Sequence, residues 1–312
     1  MKPLFAFCAD VHLRGDVPKA RIDKEEYIGR MWAKWDAMMT YCHEEGIPLI
    51  IAGDLGNGAE WSCSLLVNTI TNIDKEVKIY VIPGQHDIFN HRPETWRQGG
   101  LGVLHFANVI KVMLSETMII RNTKVQFIPY ARKRQKYLKS NARYNVLVMH
   151  RLITKQLVPH KSDLALKVLT DNPEYDLIIV GDNHQAFVER FAGRVLISPG
   201  SMMREKANQV THKPKFYVWY DNGTYESMRF LIVEDVLTRE HIEVKERKEK
   251  RIQKYVRRLE NVIAKENRRE SFDSRIHSLL YGEIQRVKRK TLEAIDGNRE
   301  RIAKLERENR ES

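Results

Sequence analysis

Up to residue 234 the chain alternates short apolar runs with longer stretches of helical periodicity. Residues 4–9, 48–52, 77–82, 125–129, 145–149 and 177–180 are mainly aliphatic, aromatic or β-branched, and each run is closed by glycine, proline or a polar residue. Runs so short and so largely apolar predict strands buried on both faces. Between the first two, Ile28, Met31, Trp32, Trp35, Met38, Met39 and Cys42 recur at the spacing of one helical face, and Gly46 and Pro48 end the pattern. Residues 65–73 predict a second helix between strands, and 194–233 predict further strands with an Asn222-Gly223 turn after KFYVWY. Buried strands alternating with helices specify a layered α/β fold.

The pattern changes near Asp235. About 24% of side chains before that point are charged and about 49% after it, the second figure being that of an exposed helical arm. Two apolar stripes run through the charged region: Ile252, Tyr255, Val256, Leu259, Val262 and Ile263, then Phe272, Ile276, Leu279, Leu280, Ile284 and Val287. Gly297-Asn298 interrupts the second before Ile302 and Leu305. Such stripes must be covered by each other, by the first domain or by a partner.

Composition adds a partner class and removes several others. The net charge is +12, with 31 basic and 25 acidic side chains up to residue 234 and 22 basic and 16 acidic after it. This balance raises nucleic acid as a partner without establishing it. No apolar run approaches the roughly 18 residues that span a bilayer, and the opening MKPLFAFCADVH has no long apolar leader, so a soluble cytoplasmic protein without membrane association is expected. Cys8, Cys42 and Cys63 match neither a zinc cluster nor a disulfide framework and are expected in the core.

The chemistry sits where strands end. Asp10 and His12 follow the first run, Gly53-Asp54 the second and Gly84-Gln85-His86-Asp87 the third, His150 closes VLVMH, and Asp182-Asn183-His184 follows LIIVG. A lone Asp-x-His is usually a turn; five strand ends in succession, each delivering a carboxylate, imidazole or amide, point to a ligand site. Oxygen and imidazole donors without thiolate suit manganese, iron or zinc, and their number suits two cations sharing a carboxylate, for which Asp54 is the natural bridge. His43, His91, His105 and His160 lack this setting and are expected at the surface or in the core.

The order Asp-x-His, Gly-Asp, Gly-Gln-His-Asp, His, Gly-Asp-x-His resembles that of the calcineurin-like metallophosphoesterases. Within them the chain looks most like the SbcD-type nucleases of double-strand-break repair, because residues 197–204, ISPGSMMR, are similar to that subfamily's Tyr-Pro-Gly-Ser signature. The resemblance implies a two-layer β sandwich flanked by helices: a nuclease domain over 1–203, a reduced capping region over 204–234 and a basic helical tail over 235–312. It implies one metal site of Asp10, His12, Asp54 and His184, and another of Asp54, Gln85, His150 and Asp182. Gln85 stands where the family has asparagine and Asp182 where it has histidine. Added oxygen ligation favours manganese or magnesium over zinc.

His86 matches the family's catalytic histidine, which protonates the leaving oxygen or steadies the transition state, with Asp87 or Asp54 as the carboxylate that orients it. Arg14, Ser201 and Arg204 are expected to contact substrate, and residues 132–139 read equally as a segment lying along a phosphate backbone or as a solvated loop. The arginine by which related phosphatases grip monoesters is absent, since Leu55-Gly56-Asn57-Gly58 follows Gly53-Asp54. The implied activity is metal-dependent cleavage of DNA in recombination and repair. The implied partners are DNA and an SMC-like ATPase docked through the tail; a homodimer is compatible with this. A DNA-binding scaffold with impaired metal binding and a small-molecule phosphodiesterase are the alternatives.

Overall fold

The computed structural model describes residues 1–132, 141–156, 162–233, 236–266 and 280–291. The expectations for 133–139, His160, Phe272, Ile276, Leu279, Gly297, Asn298, Ile302 and Leu305 concern residues outside this set, as do those for the side chains of Val262 and Ile263. One compact unit takes in Met1–Leu237 and a second Thr238–Asn309. In chain order the first unit contains β1 (Pro3–Cys8), α1 (Tyr27–Glu44), β2 (Leu49–Ile51), α2 (Cys63–Thr71), β3 (Ile79–Val81), α3 (Gly100–Phe106), β4 (Lys111–Val112), β5 (Thr117–Ile120) and β6 (Thr123–Ile128). It continues with β7 (Tyr144–His150), β8 (Ile153–Thr154), β9 (Asp163–Leu164), α4 (Ala165–Asp171), β10 (Leu177–Gly181), β11 (Phe187–Phe191), β12 (Arg194–Ser198), β13 (Lys215–Tyr220) and β14 (Tyr225–Arg229). The second unit contains α5 (Glu240–Glu266) and a further helical stretch over 280–291.

Two six-stranded sheets form the layers, in the orders β14-β13-β1-β2-β3-β4 and β11-β12-β10-β7-β6-β5. Each has parallel strands at its centre and antiparallel strands at one edge or both. The uninterrupted apolar runs have the consequence their composition dictates. Phe5 and Phe7 of β1, Val146 and Val148 of β7, and Leu177 and Ile179 of β10 fill the space between the sheets. Their alternate neighbours face outward beneath helices: Ala6 and Cys8 under α1, Leu147, Met149, Ile178 and Val180 under α4. Tyr27, Met31, Trp35, Met38, Met39 and Cys42 form the buried stripe of α1. Gly46 stops that helix in a left-handed turn at φ 61°, a conformation that glycine adopts without steric cost.

Two expectations are corrected. The stretch 204–234 does not stand apart as a cap: Phe5, Ala6 and Phe7 pair with Trp219, Val218 and Tyr217 of β13, and β14 extends the same sheet. KFYVWY is buried over all but its first residue, so it has the character of an inner strand, and the N-terminal strand is its neighbour. Cys63, expected in the core, is exposed, whereas Cys8 and Cys42 are buried.

In the second unit, Tyr255, Val256 and Leu259 of α5 line an apolar groove with Ile284 and Val287, and Lys288 pairs with Glu260 at 3.0 Å beside it. The two stripes therefore cover part of each other. Among the described residues no helix is long and apolar enough to cross a membrane.

Candidate metal centre

The loops after β1, β2, β3 and β10 and the last residue of β7 carry the expected ligands, and backbone bonds tie these loops together. Asp10 N–H donates to Gly53 O and His12 N–H to Asp54 O, both at 3.1 Å, and Met202 N–H donates to Asp10 O at 3.2 Å. Asp182 N–H donates to both oxygens of Asp10, at 3.0 and 3.1 Å. Four of the site residues hold left-handed backbone: Asp10 (φ 50°), His12 (φ 51°), Asp54 (φ 53°) and Asp182 (φ 83°). This conformation costs a non-glycine residue roughly 1–2 kcal/mol, and the loop-to-loop bonds hold the four there. Strain concentrated at adjacent titratable residues is a mark of function.

Two groups of potential ligands result, each with its donor atoms within 4.8 Å of one another: Asp10, His12 and His184, and Asp10, Asp54 and His150. All five residues are buried. Asp10 is common to both groups, and Asp54, the bridge expected from the sequence, belongs to the second. Asp54 is turned so that Oδ1 accepts from His86 N–H at 2.9 Å while Oδ2 lies 3.4 Å from His150 Nε2.

The donors fit cations. His150 donates Nδ1–H to Ala52 O at 2.7 Å, which directs its Nε2 at Asp54 Oδ2, an imidazole nitrogen and a carboxylate oxygen placed as a pair of cation ligands would be. His12 Nε2 and His184 Nε2 stand 3.2 Å apart. Burial holds both imidazoles well below their usual basicity, and neighbouring cationic groups, Lys206 among them, add to this, which keeps them in the neutral form that ligates. Asp10 is raised to about 7 by burial, with the Asp54 carboxylate adding to it and His150 and the Asp182 N–H opposing. A carboxyl so reluctant to ionise beside another carboxylate is one that a divalent cation relieves.

The two departures from the family pattern touch each other. Gln85 Nε2 donates to Asp182 Oδ1 at 3.0 Å, and Gln85 Oε1 is a buried acceptor with no hydrogen-bond partner among the described residues. Glutamine and aspartate at these positions are thus a matched pair, with one amide oxygen left over for a hard cation.

The remaining expected residues divide. His86 donates Nδ1–H to Asn57 O at 2.9 Å and stands edge-on to His12, ring centroids 5.2 Å apart. Burial, the largest influence, lowers it to about 3. Asp87 is corrected: its oxygens accept from the backbone N–H groups of Leu55, Gly56 and Gly84, so it joins the second and third loops and does not orient the imidazole. Ser201 is also corrected, since its hydroxyl donates to Met203 O and accepts from Gln209 Nε2. Arg204 is buried with its guanidinium on Val210 O of its own loop and on Val233 O, beyond β14, so it ties two stretches of backbone together. Arg14 lies near the site, but its guanidinium is committed to Asp16, Asn57 and Glu205.

Lys206 and Gln209, in the loop after β12, are the residues that sequence reasoning missed. Burial lowers Lys206 to about 8 against the pull of Glu205, Asp10, Asp182 and Asp54. Its proximity to so many site carboxylates depends on a loop conformation that no local pattern announces.

Residues 3–186 match the calcineurin-like phosphoesterase family model, and the chain belongs to that family. It is a phosphoester hydrolase of a family that uses divalent metal ions, and Asp10, His12, Asp54, His150 and His184 are its candidate ligands. No curated protein sequence matches the chain. Among solved structures it is similar to a novel archaeal phosphodiesterase, 11% identical with a TM-score of 0.41 over 72% of this chain and 99% of the other. It is also similar to a protein of Thermus thermophilus, 8% identical with a TM-score of 0.45 over 73% of this chain and 99% of the other.

Proposed function

We propose that the protein is a manganese-dependent DNA phosphodiesterase, a nuclease of recombination and double-strand-break repair that works with an SMC-like ATPase through its tail. The observation that carries the choice of diester is the charge around the reacting position. The loop over 55–58 presents no guanidinium, its Asn57 carbonyl holds His86, and Arg14 is flanked by Asp16 and Glu205 at 2.7 and 3.5 Å. A dianionic monoester would lack a bidentate grip here among the described residues, whereas a monoanionic diester needs less. The net charge of +12 and the Ser198-Pro199-Gly200-Ser201 segment support DNA as the diester.

Asp10, His12 and His184 would hold one cation and Asp10, Asp54 and His150 the other, with Gln85 and Asp182 beside the second; oxygen-rich donors there favour manganese or magnesium. Bound cations would neutralise the phosphoryl oxygens and make a water more acidic. The chain's own contribution is position and proton transfer. Asn57 O fixes the His86 tautomer and leaves Nε2 as the nitrogen that acts on a substrate oxygen. The resting ring is neutral; an anionic phosphoester beside it favours protonation, after which Nε2–H delivers the proton to the departing oxygen.

His86→Ala is expected to slow cleavage of end-labelled DNA roughly 100- to 10,000-fold while manganese binding and salt-sensitive DNA binding stay at parental levels. Undiminished cleavage in the variant removes His86 from the mechanism. Turnover of bis-p-nitrophenyl phosphate by the parent without DNA cleavage favours the small-molecule reading, and neither activity despite bound manganese favours the scaffold.

A further inference from the structure

The loop between β12 and β13 is built on two of the metal-centre residues. Ser201 N–H donates to His184 O and Met202 N–H to Asp10 O, each at 3.2 Å. Gln209 then locks the turn: its Oε1 accepts the N–H groups of Glu205 and Lys206 at 2.7 and 2.8 Å, and its Nε2 donates to Ser201 Oγ at 2.7 Å. His212 adds a bond from its ring to Ser201 O at 2.7 Å. Two adjacent charged side chains leave this turn with different fates. Glu205 is buried and accepts from Tyr27 and Arg14. Lys206 is half-buried, and its ammonium makes no hydrogen bond or ion pair among the described residues. The turn that carries it is bonded to the backbone of both Asp10 and His184, its own N–H is held by Gln209, and the pull of the Asp10, Asp54 and Asp182 charges on it agrees with that position. A half-buried lysine therefore stands on a pinned turn whose backbone is bonded to a residue of each ligand group.

Charge compensation alone does not account for this placement. Divalent cations on Asp10 and Asp54 neutralise the carboxylates and would repel an ammonium, so Lys206 needs a different counter-ion when the centre is loaded. An anionic phosphoester is that counter-ion. We propose that Lys206 grips the substrate, its ammonium donating to a non-bridging oxygen of the reacting phosphoester and so setting that group over the two ligand clusters. The proposal rests on the phosphoester-hydrolase assignment and not on DNA as the substrate. It gives the site the single charged donor that a diester calls for, in the role expected of Arg204.

A charge-assisted bond of this kind is expected to make Lys206→Met weaken substrate binding roughly 10- to 100-fold. The test compares the manganese-loaded full-length parent with Lys206→Met and Lys206→Arg in two ways: KM and kcat for bis-p-nitrophenyl phosphate, and the affinity for inorganic phosphate by calorimetry. The expected result is a raised KM, kcat changed less, phosphate affinity lost to a similar degree, recovery of most of both in Lys206→Arg, and manganese affinity equal to or above the parent's. Parental KM and phosphate affinity in Lys206→Met overturn the proposal. Equal loss in Lys206→Met and Lys206→Arg with a lowered melting temperature overturns it as well, because it shows a structural role. Absence of turnover in the parent counts against the hydrolase assignment, and the phosphate titration still decides the role of Lys206.

Discussion

Asp10→Asn is expected to abolish phosphoester hydrolysis, by roughly 1,000-fold or more, the scale of losing a group on which a whole catalytic unit depends. Asp10 belongs to both ligand groups, is fully buried and accepts Asp182 N–H on each oxygen. Asparagine keeps the size but removes the charge and one oxygen donor, so a cation held by either group would lose a ligand while the loop keeps its shape. Melting of the chelated protein should fall no lower than the parent's, because a carboxyl whose burial is unfavourable has been replaced by a neutral amide. The checks are turnover of bis-p-nitrophenyl phosphate across a manganese titration and direct measurement of bound manganese. Near-parental activity at saturating manganese would take Asp10 out of the centre.

Gly181→Ala is expected to be almost as damaging, for a steric reason. Gly181 ends β10 in register with His150, and a methyl there would lie 2.0 Å from Ala52 O and 2.5 Å from His150 Nδ1. These two atoms form the 2.7 Å bond that sets the His150 tautomer, and they belong to different sheets. The methyl must break that bond or part the layers. A destabilisation of about 1–3 kcal/mol, typical of overpacking, and loss of manganese from the Asp54–His150 group are expected in thermal melts and metal titrations. Gly29→Ala is the control, since nothing lies within 4 Å of the added methyl on an exposed face of α1, where alanine is the better helix former. Equal behaviour of the two variants would show that the sheets are not in such close contact at Gly181.

What the sequence makes legible follows from how local each signal is. Strands β1, β2, β3, β7 and β10 are mainly apolar on both faces, so their runs stand out whatever they pair with, and β6 is legible from Val125, Phe127 and Ile128 although Lys124 and Gln126 are buried in it. Strand β11 stays hidden because FVERF is only partly buried at a sheet edge, and β4, β8 and β9 are two residues long. The pairing of β13 with β1 joins residues more than 200 apart, which no window on the sequence reports, and the stretch consequently reads as a separate cap. In the site, Asp10, His12, Asp54, His150 and His184 are visible because each ends or follows a strand. Asp87, Ser201 and Arg204 are also polar residues in motif loops, but their partners are backbone groups or a glutamine brought in by folding. The same folding makes Lys206 important and leaves it indistinguishable, in sequence, from any other lysine.

The central claim, a metal-dependent phosphodiesterase acting on DNA at the Asp10–Asp54 centre, is tested most directly by degradation of end-labelled linear duplex DNA. The parent, Asp54→Ala and the parent with chelator are incubated at low salt with manganese, with and without an SMC-like ATPase partner. The expected result is manganese-dependent shortening of the labelled strand by the parent alone, with Asp54→Ala and the chelated sample leaving the DNA whole. Intact DNA in every lane, with manganese shown to be bound to the parent, contradicts the account.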